Sequence, residues 1–251
     1  MEASLVRSEG NTASILLEGF MLSTINAIRR AAINSVRTIA IEDVTIYKNT
    51  SPMYDEVLAA RLGLIPMKSF PELDKGKRSF SFKLKERGPA VIHASDIKCG
   101  NDEVKPVYPD LLIMTLKEGE EIDLEATAVF GDGNDHVKFT PVHVTYHMYP
   151  KITITKEKVR GASKIAYLCP VEMLSGEGER LEVKKGRLQD CILCKACEDY
   201  AGPDIIKISS ENDKVIMDIE SWGQLDIKDV LDGAVSKLEE EVGHISKAVL
   251  E

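Results

Sequence analysis

The hydrophobic pattern of the first 40 residues predicts a β-hairpin followed by a helix. Residues 5–7 and 13–17 alternate apolar and polar positions on either side of a Glu9-Gly10-Asn11 turn. After Ser23, a candidate N-cap, apolar residues recur at three- and four-residue spacings, which predicts an amphipathic helix. The stripe consists of Leu22, Ile25, Ile28, Ala32 and Val36. Arginines lie off the stripe, so the helix is expected to have an apolar side and a cationic side.

The middle of the chain predicts short strands separated by Gly, Pro and Asp. Residues 42–47 form the first strand, and a short helix capped by Asp55 and ending before Arg61 follows it. The other predicted strands cover residues 80–85, 90–94, 111–116, 121–129 and 142–155. This density of strands predicts a separate β-rich domain.

Residues 166–205 have few apolar positions, so something other than hydrophobic burial is expected to hold this section together. Residues 204–209 and 214–219 then predict a hairpin across a polar turn. A final helix is expected from about Asp226, because an apolar stripe continues to the end of the chain. Its members are Ile227, Val230, Leu231, Ala234, Leu238, Val242, Ile245 and Val249. The stripe exceeds what a small hairpin can cover, so its outer half is expected to meet another chain; the alternative is a core helix of this chain alone.

Composition limits the class of protein. The chain has 251 residues, of which 43% are hydrophobic and 29% charged, and no apolar stretch approaches the roughly 18 residues that span a bilayer. No secretory signal is visible, so a cytoplasmic location without membrane attachment is expected. The net charge of −9 disfavours direct binding of DNA phosphates, so any nucleic-acid role is expected to be indirect. Of five cysteines, four lie between residues 169 and 197, which favours metal binding over a disulfide framework.

The strongest chemical signal is a C-x2-C-x2-C run at Cys191, Cys194 and Cys197. Thiolates at this spacing can hold three corners of an iron–sulfur cluster. Ala201 stands where ferredoxins place the cysteine that serves a second cluster, so one cluster is predicted. The only cysteine followed by proline, Cys169, is the candidate fourth ligand. We expect a 4Fe–4S cluster in preference to 3Fe–4S.

Other interpretations of these residues stay open. Four thiolates can hold zinc, although structural zinc sites usually pair two separate C-x2-C knuckles. The cysteines could also be unligated structural residues, and Cys99 is expected to be an ordinary loop thiol. The five histidines form no recognisable catalytic pattern, and neither a P-loop nor a G-x-S-x-G motif is present. The sequence therefore predicts no catalytic residues of its own.

Two stretches resemble a known family. Residues 19–30, GFMLSTINAIRR, resemble the first-helix signature of RNA polymerase α-type assembly subunits. Residues 55–66, DEVLAARLGLIP, resemble the family's next landmark, although members often have His in place of Ala60. Further similarity lies at residues 94–97 and 104–107, and at 133–141, where Trp is commoner than Phe139. A cysteine-rich insert before the final strands and helix is characteristic of the archaeal members of this family, which are called subunit 3.

The resemblance implies an α+β fold in three parts. A discontinuous dimerisation domain, similar to the N-terminal domain of α subunits, would comprise residues 1–42 and 206–251. The inserted β-rich domain would comprise residues 43–165, and a ferredoxin-like iron–sulfur domain residues 166–205. Such a subunit is a non-catalytic platform of DNA-directed RNA polymerase. It pairs with the small α-like subunit L and docks subunits N and P and the large catalytic subunits.

The same resemblance implies which residues meet partners. In the first helix they are Ile25, Asn26, Ile28, Arg29 and Arg30; after the second helix, Arg61, Leu62 and Gly63; and in the last helix, Leu231, Leu238, Val242, Ile245 and Val249. Two other functions remain as alternatives: a ferredoxin-type electron-transfer or redox-sensing protein, and a zinc-stabilised interaction protein outside any polymerase.

Overall fold

The structure, a computed structural model, describes residues 1–70, 79–100 and 104–250, with side chains through residue 248 in the last range. Contacts divide the chain into two compact units. Unit 1 comprises Met1–Ser8, Ser14–Leu22 and Thr145–Asp218, and unit 2 comprises Glu9–Ala13, Ser23–Val144 and Ile219–Glu251. The units group the chain differently from the three predicted domains, whose boundaries stay a prediction.

The described residues form strands and helices in a mixed α/β arrangement. The strands are β1 (Glu2–Glu9), β2 (Thr12–Glu18), β3 (Thr38–Asn49), β4 (Phe80–Arg87), β5 (Ala90–His93), β6 (Lys98–Cys99), β7 (Leu112–Leu116), β8 (Glu121–Gly131), β9 (Val142–Ile154), β10 (Leu174–Glu177), β11 (Arg180–Val183) and β12 (Ile206–Ser221). The helices are α1 (Leu22–Asn34), α2 (Asp55–Gly63), α3 (Ala162–Tyr167), α4 (Ala196–Ala201) and α5 (Ile227–Leu250). No helix in the described ranges is both long enough and apolar enough to cross a membrane.

Unit 2 contains a four-stranded sheet of order β3-β8-β4-β6. Strand β8 alternates buried and partly exposed positions along most of its length, which is the period of a sheet with one covered face. On the exposed face, Lys83 of β4 lies opposite Glu125 of β8, and their side chains form an ion pair at 2.6 Å. The alternation therefore fixes the register of β4 against β8. In this register, residues of opposite charge lie across from each other.

Helix α2 packs into the same core. Its buried residues Leu58 and Leu62 join a cluster with Ile41 of β3 and Phe82 of β4. The helix includes residues 61–63, whereas the sequence predicted its end before Arg61. Tyr54, not Asp55, occupies the N-cap position. Leu62 and Gly63 therefore lie at the buried C-terminal end of α2.

A second four-stranded sheet has the order β1-β2-β12-β9. The predicted hairpin at 204–219 is wrong, because residues 206–221 form the single strand β12. Near its middle, the carbonyl of Asp213 accepts a hydrogen bond from the N–H of Gly19 at 2.8 Å, and Lys214 pairs with Glu18 and Glu211. The polar residues predicted as a turn are thus strand residues with partners in unit 1.

The cysteine-rich section has a hydrophobic core, which corrects the expectation that it lacks one. Its own buried side chains include Met173, Leu174 and Leu181 beside three of the cysteines. Flanking segments complete the cluster with Val159, Ala162, Ile165, Ile206 and Ile208. Hydrophobic burial therefore contributes to holding residues 166–205.

The terminal helices largely follow the predicted stripes. Helix α1 ends at Asn34, so Val36 of the predicted stripe is buried just beyond the helix. Helix α5 begins one residue after the predicted start and continues for 24 residues. Val230 and Ala234, in the first part of this helix, are fully buried.

Candidate metal centre

The four cysteines named by the sequence lie in one region of unit 1. Cys169 follows α3, Cys191 ends a 3-10 turn at Leu188–Asp190, and Cys197 lies in α4. These three are buried in the hydrophobic cluster of unit 1, whereas Cys194 is exposed, and none of the four is in a disulfide. The fold thus brings Cys169 to the cysteine run from 22 positions earlier in the chain.

The backbone of the run adopts an unusual conformation. Leu193 and Lys195 have positive φ angles of 56° and 59°, which non-glycine residues rarely adopt. Left-handed residues in such loops turn consecutive N–H groups toward one side, which creates concave donor arrays found at iron–sulfur sites. Backbone strain of this kind is concentrated at functional sites.

Cys191 and Cys197 interact electrostatically with the other cysteines of the set. Burial raises the pKa of the Cys191 thiol, the N–H of Leu193 opposes this effect, and the nearby Cys169 and Cys194 reinforce it. Burial likewise raises the pKa of Cys197, although the N–H groups of Glu198 and Cys197 favour its thiolate. The N–H donors are the kind that hydrogen-bond to cluster sulfurs. The N–H groups favour the thiolate form that a cluster needs, whereas burial, the larger effect, favours the neutral thiol.

The metal set itself stays a prediction. Among residues 1–70, 79–100 and 104–250, no group of three or more His, Cys, Asp or Glu side chains is gathered closely enough to hold a metal ion. Cys99 lies elsewhere, in strand β6 opposite Phe82, and not in a loop as the sequence suggested.

A polar network in unit 1 escaped the sequence patterns. The hydroxyl of Ser14 donates to Asp218 at 2.6 Å, and Asp218 also faces the Nδ1 atom of His147 at 3.4 Å. Asp218 raises the pKa of His147 by hydrogen bonding, and the imidazole in turn lowers the pKa of Asp218. Because the carboxylate lies between them, the imidazole is not placed to take the proton of Ser14. This network is not a nucleophile–base pair.

The residues of α1 named as partner contacts differ in exposure. Ile25 is buried in its own chain, and Ile28 is half-buried. Arg29 donates to the side chain of Asn26 at 3.1 Å, whereas Arg30 is exposed. Arg30 therefore has the most accessible side chain of the five.

The residues of α2 and α5 divide in the same way. Arg61 is exposed and donates to the carbonyl of Leu112, whereas Leu62 and Gly63 are buried. In α5, Leu231 and Leu238 are half-buried. Val242 and Ile245 are exposed, and the side chain of Val249 lies outside the described residues. The partner-contact set stays a prediction.

Comparisons with known proteins identify the family. Residues 44–145 match the RNA polymerase Rpb3/RpoA insert domain. DNA-directed RNA polymerase subunit Rpo3 of Methanosphaera stadtmanae is 36% identical, over 100% of this chain and 99% of the relative. Rpo3 of Methanobrevibacter smithii is 37% identical over 86% of each chain, and Rpo3 of Pyrococcus horikoshii is 27% identical over 92% of this chain and 91% of the relative. The chain belongs to the archaeal Rpo3 family of DNA-directed RNA polymerase subunits.

Proposed function

We propose that this RNA polymerase subunit is a non-catalytic assembly platform in transcription. It pairs with the small α-like subunit L through α1 and α5, and the pair docks subunits N and P and the large catalytic subunits. DNA is then reached only through the assembled enzyme. A single iron–sulfur cluster bound by four cysteines stabilises residues 166–205.

The apolar face at the outer half of α5 carries the pairing proposal. Val242 and Ile245, one turn apart, are 61% and 66% exposed. Val235 is also exposed on the same helix. Burying such side chains is worth roughly 25 cal/mol per Å² of apolar surface, and contiguous exposed apolar surface marks interaction sites. A partner helix on this face would bury it.

A groove in unit 2 extends this surface. A cavity of about 360 Å³ is lined by Ala27, Arg30 and Ala31 of α1 and by Leu238 and Glu241 of α5. The apolar members of the lining are buried or half-buried, whereas Arg30 and Glu241 are exposed; the polar residues Asn34, Ser35 and Asn134 complete it. Such a polar rim around an apolar floor is typical of protein interfaces. We therefore assign the groove and the exposed face of α5 to the same partner surface.

Co-expression with subunit L tests the pairing. Val242→Asp places a charge on the face, and we expect its complex with L to be lost at concentrations where the wild-type chain co-purifies in a 1:1 ratio. Val137→Asp is the matched control, because Val137 is a valine 69% exposed in the 3-10 turn Val137–Phe139, which belongs neither to α5 nor to the lining of the groove. Loss of pairing in both variants, or in neither, would contradict the assigned surface.

The arrangement of thiols and N–H groups supports the cluster proposal. Cys169, Cys191, Cys194 and Cys197 would hold it, with the Leu193 and Glu198 N–H groups close to sulfur. When bound, the cluster would cross-link Cys169 to the cysteine run, and its binding energy would stabilise the folded state. Cross-linking of this kind suits a platform subunit, since it requires no electron transfer.

Metal analysis after anaerobic purification tests the cluster. We expect iron and acid-labile sulfide in equal amounts, about four of each per chain for a 4Fe–4S cluster. Cys194→Ser is the informative variant, because Cys194 is exposed and its loss leaves the hydrophobic core intact. Its iron content should fall to the background level, while Cys99→Ser retains the wild-type content. Stoichiometric zinc without sulfide would overturn the cluster.

A further inference from the structure

A cleft of about 840 Å³ lies within unit 1, against the sheet that contains β1, β2, β9 and β12. Sheet residues form part of the lining, and the rest comes from Val171, Gly186, Arg187, Gln189, Asp190 and Ile192. Clefts of this size with a few convergent polar groups and perturbed pKa values are the usual starting point in a search for binding sites. None of the four cysteines lines this cleft.

Most charges in the cleft are already paired. Asp190 accepts from the Nε atom of Arg187, whose Nη2 atom also donates to the carbonyl of Val171 at 3.0 Å. Asp218 accepts from Ser14 and faces His147. Both carboxylates therefore have cationic or donor partners within the chain.

Arg7 is different. It lines the cleft from β1, yet among the described residues it donates no hydrogen bond and forms no ion pair, although its charge lowers the pKa of Asp218. Its guanidinium offers a planar fork of donors that matches a carboxylate. Thr145 adds a hydroxyl to the same lining. The cleft thus has a cation near Asp218 that has no hydrogen-bond partner among the described residues, and one further hydroxyl.

The remaining lining selects between anions. The carboxylates of Asp190 and Asp218 repel a second negative charge, which disfavours a phosphate dianion relative to a single carboxylate. Apolar side chains of Val6, Ile192 and Ile216 line the rest of the cleft. They can bury a short hydrocarbon chain attached to the anion.

We propose that this cleft binds a carboxylate attached to a short apolar chain, with Arg7 as its anchor. Two sources share this chemistry: a protein segment that places an acidic side chain or chain terminus beside an apolar residue, and a free aliphatic carboxylate. The occupied cleft would join the sheet to the residues that follow Cys169 and surround Cys191.

Calorimetric titration of the full chain with hexanoate tests the site. We expect saturable binding that weakens about tenfold or more for acetate, which lacks the hydrocarbon chain, and for hexan-1-ol, which lacks the charge. Arg7→Gln should weaken hexanoate binding about ten- to hundredfold. Arg160→Gln, which changes an exposed arginine of the same unit outside the cleft, should bind as the wild type does.

Two results would overturn the proposal: the absence of saturable hexanoate binding, and equal affinity of Arg7→Gln and the wild type at unchanged thermal stability. The same titration of the assembled polymerase distinguishes the sources. If the isolated chain binds hexanoate and the assembled enzyme does not, a polymerase segment occupies the cleft. If both bind it, no polymerase segment occupies the cleft, and a free carboxylate is the source that the result favours.

Discussion

Replacing Ile165 with Ala tests whether hydrophobic packing holds the cysteine-rich section together. Ile165 lies in α3 and is 1% exposed, and it packs in the cluster that includes Cys169, Cys191 and Cys197. Ile192 in the same section is 57% exposed. Substitution by Ala therefore removes the same atoms at both positions, from a buried side chain at Ile165 and from an exposed one at Ile192.

The expected magnitudes follow from burial. Ile→Ala removes three carbon groups at about 0.8 kcal/mol each when fully buried, and the cavity left behind adds to this. We therefore expect Ile165→Ala to lower the local free energy of unfolding by about 2–5 kcal/mol. Ile192→Ala should cost about 0.5 kcal/mol or less, as most exposed substitutions do.

Native-state hydrogen exchange of amides in residues 159–208 measures this local free energy. The iron-free chain isolates the contribution of packing, and an iron-loaded chain adds that of any cluster. In the iron-free chain we expect a clear difference between the Ile165 and Ile192 variants. Equal exchange in the two would refute the view that the buried cluster stabilises this section.

Two further predictions concern unit 1. The pKa of His147 is raised by Asp218, so the stabilisation from this pair is full below the ordinary imidazole pKa near 6.5 and is lost as pH rises through the higher folded value. His147→Gln should therefore cost about 0.5–1 kcal/mol near pH 6 and less near pH 9, measured by urea unfolding. Gly176→Ala would place Cβ 2.3 Å from the carbonyl of Ala162, and its thermal unfolding should reveal a cost of about 3 kcal/mol. Gly178→Ala, in open space at φ 59°, should cost about 1 kcal/mol for backbone strain alone.

Local periodicity predicted much of the fold. The strands around residues 121–129 and 142–155 and the helix from about residue 226 were recognisable because each pattern lies within one element. The single strand β12 was not, because the polar residues near Asp213 resemble a turn until their pairing with Gly19 is known. Long-range pairing decides such segments, and one sequence window does not contain it.

The candidate site stays a prediction, and only the gathering of its cysteines can be compared with the fold. Spacing alone identified the cysteine run, and the fold places Cys169 in the same buried cluster as Cys191 and Cys197. Part of the core around them was missed because Ile165 and Ile208 come from outside residues 166–205. The network of Ser14, His147 and Asp218 was missed for a related reason, since three separate strands supply its members.

Hydrogen exchange of α5 in the presence of subunit L tests most directly whether this chain is an assembly platform that pairs through its last helix. Upon formation of the 1:1 complex, we expect amide exchange in residues 235–248 to slow about tenfold or more, because the exposed apolar face becomes buried and fraying is suppressed. Strands β10 and β11, which pair antiparallel across residues 174–183, should exchange as in the free chain. A complex that forms while exchange in α5 stays unchanged would contradict the account.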